Sequence, residues 1–203
     1  KNRFGSTDEI GLMEMTALGL IEIQDPSYLF LSSRERDATG VAIGASYEGS
    51  RPILIEVQSL VTSSGPGYAR RMASGIDQNR LSLIIAVLEK SQGYQFSTYD
   101  VYLKVAGGIF LKDPAIDLAI AAAIVSSYSE VYLSSDTLFI GEIALSKQIR
   151  AVPNLEIRLR EAEKLGFKKA VIPQIIGRKS FNTNLEIVEL NNIEEFINML
   201  MEG

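Results

Sequence analysis

The chain has 203 residues, of which 46% are apolar, and a formal net charge of −5. This length allows one large or two small domains with a buried core, and the acidic balance argues against indiscriminate binding to nucleic acid while allowing a local basic surface. The sequence contains no cysteine and no histidine, which excludes disulfides, thiolate metal sites, a Ser-His-Asp triad and a histidine general base. Hydrolytic chemistry is thereby restricted to carboxylates or a Ser–Lys dyad.

The chain starts at Lys1 without a methionine, and its first residues show no signal-peptide pattern. Its longest apolar run, residues 118–125, is too short to span a bilayer. We therefore expect a fragment of a larger protein that is soluble and cytoplasmic.

The first third of the chain is rich in short strand patterns, and these lie at residues 10–15, 20–23, 28–31, 39–47 and 52–62. The last two are separated by Glu48-Gly49-Ser50, which is typical of a hairpin. A polar loop is predicted at 32–37, and a connection rich in Gly, Ser and Pro at 63–75.

Helices and strands alternate from there to the end of the chain. The predicted helices cover residues 77–90, 113–128, 154–165 and 193–201, and the predicted strands cover 99–105, 138–145, 148–152, 169–173 and 185–190. Asn154 is a predicted N-cap, and Asn192 with Glu195 forms a capping box. The alternation predicts an α/β (α+β) domain with mixed sheets and flanking helices.

The start of the second helix resembles a strand-to-helix turn at which an enzyme would place a nucleophile. Asp113 is the predicted N-cap and Pro114 takes the first helical position. At the point where a nucleophile would follow, the chain offers Ala115 and Ile116. The residues alone leave open whether this site was lost or never existed.

Other candidate chemical features are weaker. The glycine spacing of residues 44–51 matches a phosphate loop, but Ser50 occupies the position that must be lysine, which favours a hairpin turn. Ser63, Ser64 and Ser74 have no base at a fixed spacing, and Lys112 beside Asp113 is typical of a solvated strand end followed by a cap.

Two groups of basic residues are candidates for anion contacts. Arg70, Arg71 and Arg80 border a glycine-rich loop and a helix start, which suits phosphate binding, a subunit contact or plain surface. At the beginning of the chain stands the pentapeptide Lys1-Asn2-Arg3-Phe4-Gly5. In an extended strand Lys1 and Arg3 point to the same side, so both could reach one anion.

Four segments resemble the C-terminal portion of the RadA (Sms) DNA-repair ATPases. They are KNRFGSTDEIG, GYARRMASGIDQNRLSLIIAVLEK, DVYLKVAGGIFLKDPAIDLAIA and GEIALSKQIRAVPNLEIRLREAEKLGFKKAVIP. The KNRFG pentapeptide is a signature of that family. The resemblance implies that residues 1–35 are the C-terminal remnant of a RecA-like ATPase domain. Residues 36–203 would be a domain similar to the proteolytic domain of the Lon proteases.

The resemblance to Lon proteases also answers the question raised by the turn at Asp113. In that family the nucleophilic serine follows the proline of the turn, and here this position holds Ala115. The dyad lysine lies in the first turn of the later helix, and here the matching position holds Glu156. The resemblance therefore implies a domain without the catalytic dyad and without peptidase activity.

The family resemblance implies a DNA-dependent ATPase that drives branch migration of recombination intermediates in DNA repair. This fragment would be inactive alone, would assemble as a homo-hexameric ring, and would contact single-stranded or branched DNA through Arg70, Arg71 and Arg80. The KNRFG residues would complete the ATP site of a neighbouring subunit. No cofactor or metal is expected in this fragment, whereas ATP, Mg and Zn would belong to upstream domains. A recombinase is an expected partner, and no contact with a membrane is expected.

Two alternatives stay open at this point. One is an active Lon-like serine peptidase with a non-standard dyad such as Ser64 with Lys112. The other is a pure oligomerisation module in which the arginines serve subunit contacts.

Overall fold

The computed structural model describes residues 13–16, 19–22, 31, 38–48, 51–65, 67–177 and 180–202. The strands in this part of the chain are β1 (Met13–Thr16), β2 (Gly19–Glu22), β3 (Val41–Glu48), β4 (Arg51–Ser63), β5 (Arg71–Ser74), β6 (Tyr99–Val105), β7 (Thr137–Phe139), β8 (Glu142–Ile143), β9 (Ile149–Arg150), β10 (Lys169–Pro173) and β11 (Glu186–Leu190). The helices are α1 (Gln78–Gln92), α2 (Asp117–Ser129), α3 (Leu155–Lys164) and α4 (Ile193–Glu202).

The main sheet is mixed, and its seven strands within the described ranges follow the order β11-β10-β7-β3-β4-β6-β5. The strands from β11 to β3 are parallel, β4 is antiparallel to both β3 and β6, and β5 is parallel to β6. Two small antiparallel pairs, β1–β2 and β8–β9, lie outside this sheet. The predicted mixed α/β class is confirmed.

The two faces of the main sheet are covered differently. Helices α1, α2 and α4 pack on the first face, where they form a large apolar core with strand residues such as Ile55, Val57 and Leu103. Helix α3 packs on the second face, against Ile43, Leu54 and other residues that alternate with those of the first face. Helix α2 is apolar on all sides over residues 118–125, and its residues 117–126 are buried, as expected of a central helix.

The helix ends follow the sequence signals in most cases. The Asp77 carboxylate accepts the N–H groups of Asn79 and Arg80 at the start of α1. The predicted pairing of Asn192 with Glu195 is confirmed: Asn192 Oδ1 accepts the Glu195 N–H at 2.9 Å, and the Glu195 carboxylate accepts from the Asn192 side-chain amide at 2.9 Å and from the Asn191 N–H at 2.8 Å. The capping role predicted for Asn154 is wrong: its backbone is left-handed, with φ 57°, and its side chain caps no N–H group.

Several predicted strands are wrong in extent. The strand predicted at 138–145 is divided into β7 and β8, which are separated by Ile140 and Gly141. The chain at Gly141 passes close to Ile149, and a Cβ there would lie 2.7 Å from Ile149 Cγ2. Strand β5 lies inside the connection that was predicted as a loop. Of the strand predicted at 28–31, the structure describes Leu31 alone, and Leu31 is helical.

No helix in the described part of the chain combines the length and the apolar character needed to cross a membrane.

Candidate functional site

The predicted nucleophile turn lies between the sheet and α2. The Asp113 carboxylate accepts two backbone N–H groups, that of Ala115 at 3.0 Å and that of Tyr47 at 2.7 Å. Residues Pro114–Ile116 form one 3₁₀ turn that leads into α2. Ala115 is 0% exposed and packs in the apolar cluster beneath α3. Position 115 therefore lies in the protein core, where no substrate can reach it.

A buried arginine connects α3 to this turn. The side chain of Arg158 is 2% exposed, and its guanidinium lies 2.6 Å from the Asp113 carboxylate. The same guanidinium donates to the Ala45 carbonyl at 2.6 Å and to the Pro153 carbonyl at 3.2 Å, and it lies over the Tyr47 ring. Arg158 thereby satisfies the carboxylate that shapes the turn and anchors α3 against β3.

A second arginine holds the other end of the turn. Arg80 Nε donates to Asp117 Oδ1 at 2.6 Å, and Arg80 Nη2 donates to the Asp113 carbonyl at 2.7 Å. Burial raises the pKa of Asp117, while the Arg80 guanidinium and the N–H of Ile143 act in the opposite direction. The two arginines thus fix both ends of the five-residue turn, one from α3 and one from α1.

The position predicted to correspond to the dyad lysine lies at the surface end of α3. Glu156 is half-buried in the first turn of that helix, where a carboxylate suits the helix dipole. With Asn154, Ile157 and Ile175 it lines a surface pocket of about 380 Å³. The structure therefore brings together the two elements that would carry a Lon-type dyad, the turn and α3. At the matched positions they hold a buried methyl group and a carboxylate.

The alternative dyad of Ser64 and Lys112 is not assembled. The Ser64 hydroxyl donates to the Asp100 carboxylate at 2.9 Å, and its N–H donates to the Thr98 carbonyl, next to the start of β6. Lys112 is exposed and follows the other end of β6. A seven-residue strand is about 20 Å long, so the two side chains lie far beyond hydrogen-bond reach.

The three predicted DNA-contacting arginines have different surroundings. Arg70 is exposed, and its N–H is the main reason that the pKa of Asp100 lies below its ordinary value. The Arg71 guanidinium donates to the carbonyls of Tyr99 and Phe96, at 2.6 Å each. Arg80 is committed to the turn described above. They therefore do not form one free cationic cluster, and contact with DNA stays a prediction for each.

Lys1, Asn2, Arg3, Phe4 and Gly5 lie outside the described residues, as does most of the predicted ATPase remnant 1–35. No group of three or more Asp or Glu residues in the described ranges is arranged to hold a metal ion.

Sequence reasoning missed the role of Arg158, although the sequence contained a signal for it. In the α3 segment, positions 155, 158, 159 and 162 form one helical face. Three of them are Leu155, Leu159 and Ala162, so Arg158 is a charged residue on an apolar stripe. Such a residue is expected to be paired inside the protein.

The arrangement defines a mixed α/β domain, and comparison with known proteins gives its relatives. A family model described as subunit ChlI of Mg-chelatase matches residues 76–175, the span from the start of α1 to the end of β10.

Proteins named DNA repair protein RadA are similar over nearly the whole chain. The RadA of Streptococcus pyogenes serotype M1 is 49% identical over 98% of this chain and 44% of its own length. The RadA of Bacillus subtilis is 45% identical over 100% of this chain and 44% of its own length, and that of Brucella abortus is 46% identical over 97% and 42%. The chain is therefore a relative of the RadA DNA repair proteins, as its motifs predict, and it spans less than half the length of these relatives.

Proposed function

We propose that this chain is the non-hydrolytic, Lon-like body of a DNA-dependent ATPase that acts in DNA repair. The observation that carries the proposal is the similarity to RadA proteins, at 45–55% identity over 86–100% of the chain. On this proposal the whole protein processes recombination intermediates by branch migration. The chain described above supplies a scaffold for a homo-hexameric ring and a contact surface for DNA.

The geometry of the turn at Asp113 supports a role without peptide hydrolysis. A Lon-type mechanism needs a hydroxyl exposed to substrate and an amine beside it as proton acceptor. Here Ala115 is buried in the core, and two arginine ion pairs hold the turn closed. The site therefore serves the packing of α3 and α2 against the sheet.

On this proposal, ATP is bound and hydrolysed in an upstream part of the whole protein, which corresponds to the portion of the relatives that this chain does not span. The 203 residues contain no Gly-x-x-x-x-Gly-Lys-Ser/Thr loop. ATP and Mg would bind an upstream ATPase domain, and Zn an upstream zinc finger. Lys1 and Arg3 of the KNRFG segment would reach the phosphates bound by a neighbouring subunit. A recombinase would be a partner of the assembled protein.

Arg70 is the first residue to test for DNA contact, because it is exposed and lies on a Gly- and Ser-containing loop. Arg71 and Arg80 have internal hydrogen bonds, so their removal would disturb structure as well as charge. The experiment is fluorescence anisotropy of the chain with a labelled single-stranded oligonucleotide over a range of salt concentrations. If Arg70 contacts one phosphate, Arg70→Ala reduces the slope of log K against log salt by about 0.7.

Lys90→Ala is the matched control, since Lys90 is an exposed cation at the far end of α1. An unchanged salt slope in Arg70→Ala would remove Arg70 from the proposed interface. Absence of any DNA binding, together with ring formation in sedimentation, would favour the pure oligomerisation module instead.

The lack of hydrolysis is tested with the same material. We expect no release of peptide from casein and no release of phosphate from ATP. We expect the double variant Ala115→Ser with Glu156→Lys to remain inactive on casein, because position 115 is closed to substrate. Casein turnover that disappears in Ser64→Ala would instead establish the alternative peptidase.

A further inference from the structure

The second face of the main sheet is covered over one half only. Helix α3 packs over β10, β7, β3 and the first half of β4. Over the rest of that face, no helix of the described ranges covers the second half of β4, β6 and β5. An open groove of about 460 Å³ lies there. We call this surface the open half-face, and its outward side chains are Gln58, Leu60, Met72, Ser74, Tyr102 and Lys104.

The centre of the open half-face is apolar. The strand register places Leu60, Tyr102 and Met72 side by side in one row across three strands. Leu60 is 59% exposed and Met72 is 56% exposed. Adjacent exposed apolar side chains of this size are typical of a surface that binds another protein, and methionine adapts to varied partners.

The edge of the sheet beside this surface is already blocked. The Gln78 carboxamide accepts the Ala73 N–H at 3.0 Å and donates to the Arg71 carbonyl at 2.6 Å. These two groups are among those that β5 would offer to an added strand, so the edge is blocked at this point. An occupant therefore lies on the face rather than pairing along the edge. Helix α3 provides the precedent, since a ten-residue helix covers the other half of the same face.

One exposed cation, Lys104, lies in the lining of the open half-face, and the half-buried carboxylate of Asp100 lies further along β6 on the same side. Lys104 is exposed and has no carboxylate within ion-pair distance in the part of the chain that the structure describes. Asp100 accepts hydrogen bonds from the Ser64 hydroxyl, the Arg70 N–H and the Tyr102 hydroxyl. Glu56, on the same face, is 4% exposed. A carboxylate on the occupant would therefore complement Lys104.

We propose that the open half-face is a docking site for an amphipathic α-helix of a partner protein. Its apolar stripe would pack on Leu60, Met72 and Tyr102, and an acidic flank would face Lys104. A protein helix fits better than nucleic acid, because Lys104 is the one cation in the groove lining and affinity for DNA requires several. This inference does not depend on the proposed function, since it holds whether or not the chain binds DNA.

The test uses two fluorescein-labelled helical probe peptides of about 16 residues, long enough to cross the surface. Both carry the same leucine stripe, with glutamate flanks in one and lysine flanks in the other. We expect the Glu-flanked peptide to bind about two- to fivefold more tightly in fluorescence anisotropy, because the preference depends on one exposed ion pair. Leu60→Glu should weaken that binding at least about tenfold, and Lys104→Glu should reverse the preference between the two peptides.

Two matched variants control for general effects. Leu83→Glu changes an exposed leucine on α1, and Lys90→Glu changes an exposed lysine on the same helix. Both should bind the two peptides as the unchanged chain does, and circular dichroism verifies that all four variants are folded.

Three results would overturn the proposal. The first is equal binding of the two peptides by the unchanged chain, or unchanged binding by Leu60→Glu. The second is displacement of the Glu-flanked peptide by a thymidine oligonucleotide, which would make the surface a nucleic-acid site. The third is self-association in sedimentation that Leu60→Glu abolishes, which would make the occupant a second copy of this chain.

Discussion

The two halves of the second sheet face differ although they share strand β4. Leu54 and Leu60 point to the same side of that strand, yet Leu54 is 0% exposed and Leu60 is 59% exposed. In the covered half, Arg158 carries a charge into the interior and stabilises both α3 and the turn at Asp113. In the open half, Lys104 and Met72 meet solvent. Alternation along a strand therefore fixes which side a residue faces, and the position of α3 fixes whether that side is buried.

The largest effect on stability is expected from a change at Arg158, in the covered half of the face. Arg158→Ala should lower the free energy of unfolding by about 3–5 kcal/mol, because it leaves the nearly buried Asp113 carboxylate without a cation. Urea unfolding followed by circular dichroism measures the change. Arg160→Ala is the control, since Arg160 is exposed on the same helix and should change stability by less than about 0.5 kcal/mol. Equal effects of the two variants would contradict the role given to Arg158.

The second ion pair, between Arg80 and Asp117, makes the free energy of unfolding depend on pH. Arg80→Ala should cost about 3 kcal/mol near neutral pH, because Asp117 is left buried and unpaired. Burial already raises the pKa of Asp117, and loss of the Arg80 guanidinium should raise this pKa further. The folded state then binds the proton more tightly than the unfolded chain, so the contribution of Asp117 to stability falls as pH rises.

The destabilisation by Arg80→Ala should therefore be smaller at about pH 5.5 than at about pH 7.5. Urea unfolding at the two pH values measures this difference. Adding Asp117→Asn to Arg80→Ala should recover part of the loss at the higher pH, because the buried charge is gone. A loss of stability that is the same at both pH values would contradict this account.

The blocked edge of the open half gives a smaller effect. Gln78→Ala removes two hydrogen bonds to the outer edge of β5, and it should cost about 1 kcal/mol. Amide hydrogen exchange at Ala73 should become faster, whereas Asn79→Ala, one residue along and exposed, should leave it unchanged. Unaltered exchange at Ala73 in Gln78→Ala would mean that the carboxamide does not protect this edge.

The smallest effect is expected in the centre of the open half. Leu60→Ala should change the free energy of unfolding by less than about 0.5 kcal/mol, because the side chain is mostly in solvent already. Leu54→Ala, six positions earlier on the same strand and face, should cost about 2–5 kcal/mol. Thermal or urea unfolding of the pair measures the contrast. A large loss in Leu60→Ala would mean that another part of the chain covers this surface.

Local patterns in the sequence predicted many of the elements correctly. Helices α1 and α4 follow from apolar spacing, and α4 also from the cap at Asn192, because these signals depend on neighbouring residues only. Strand β5 was missed, because its four residues pair with β6 and no local pattern marks them. The capping role of Asn154 also failed: the backbone there is left-handed, and its side chain accepts no N–H group of α3.

The candidate site was predicted in part. The sequence identified the turn at Asp113. Its resemblance to Lon proteases predicted that Ala115 and Glu156 stand at the positions of the serine and the lysine of the dyad. The burial of Ala115 and the pairing of Arg80 with Asp117 could not be predicted, because both depend on contacts between segments distant in sequence. Arg80 and Asp117, for example, are 37 positions apart. For the same reason the three arginines proposed for DNA contact proved to have different surroundings.

The sequence by itself determined the α/β class, the apolar central helix, the absence of histidine chemistry and the kinship with RadA proteins. These features depend on composition, on short-range periodicity and on motifs, all of which are carried by consecutive residues. The tertiary structure alone decided which charges are internal and which half of the sheet is open. Burial and ion pairing depend on contacts between segments distant in sequence, and one charged side chain is stable inside the protein only where the fold supplies its partner.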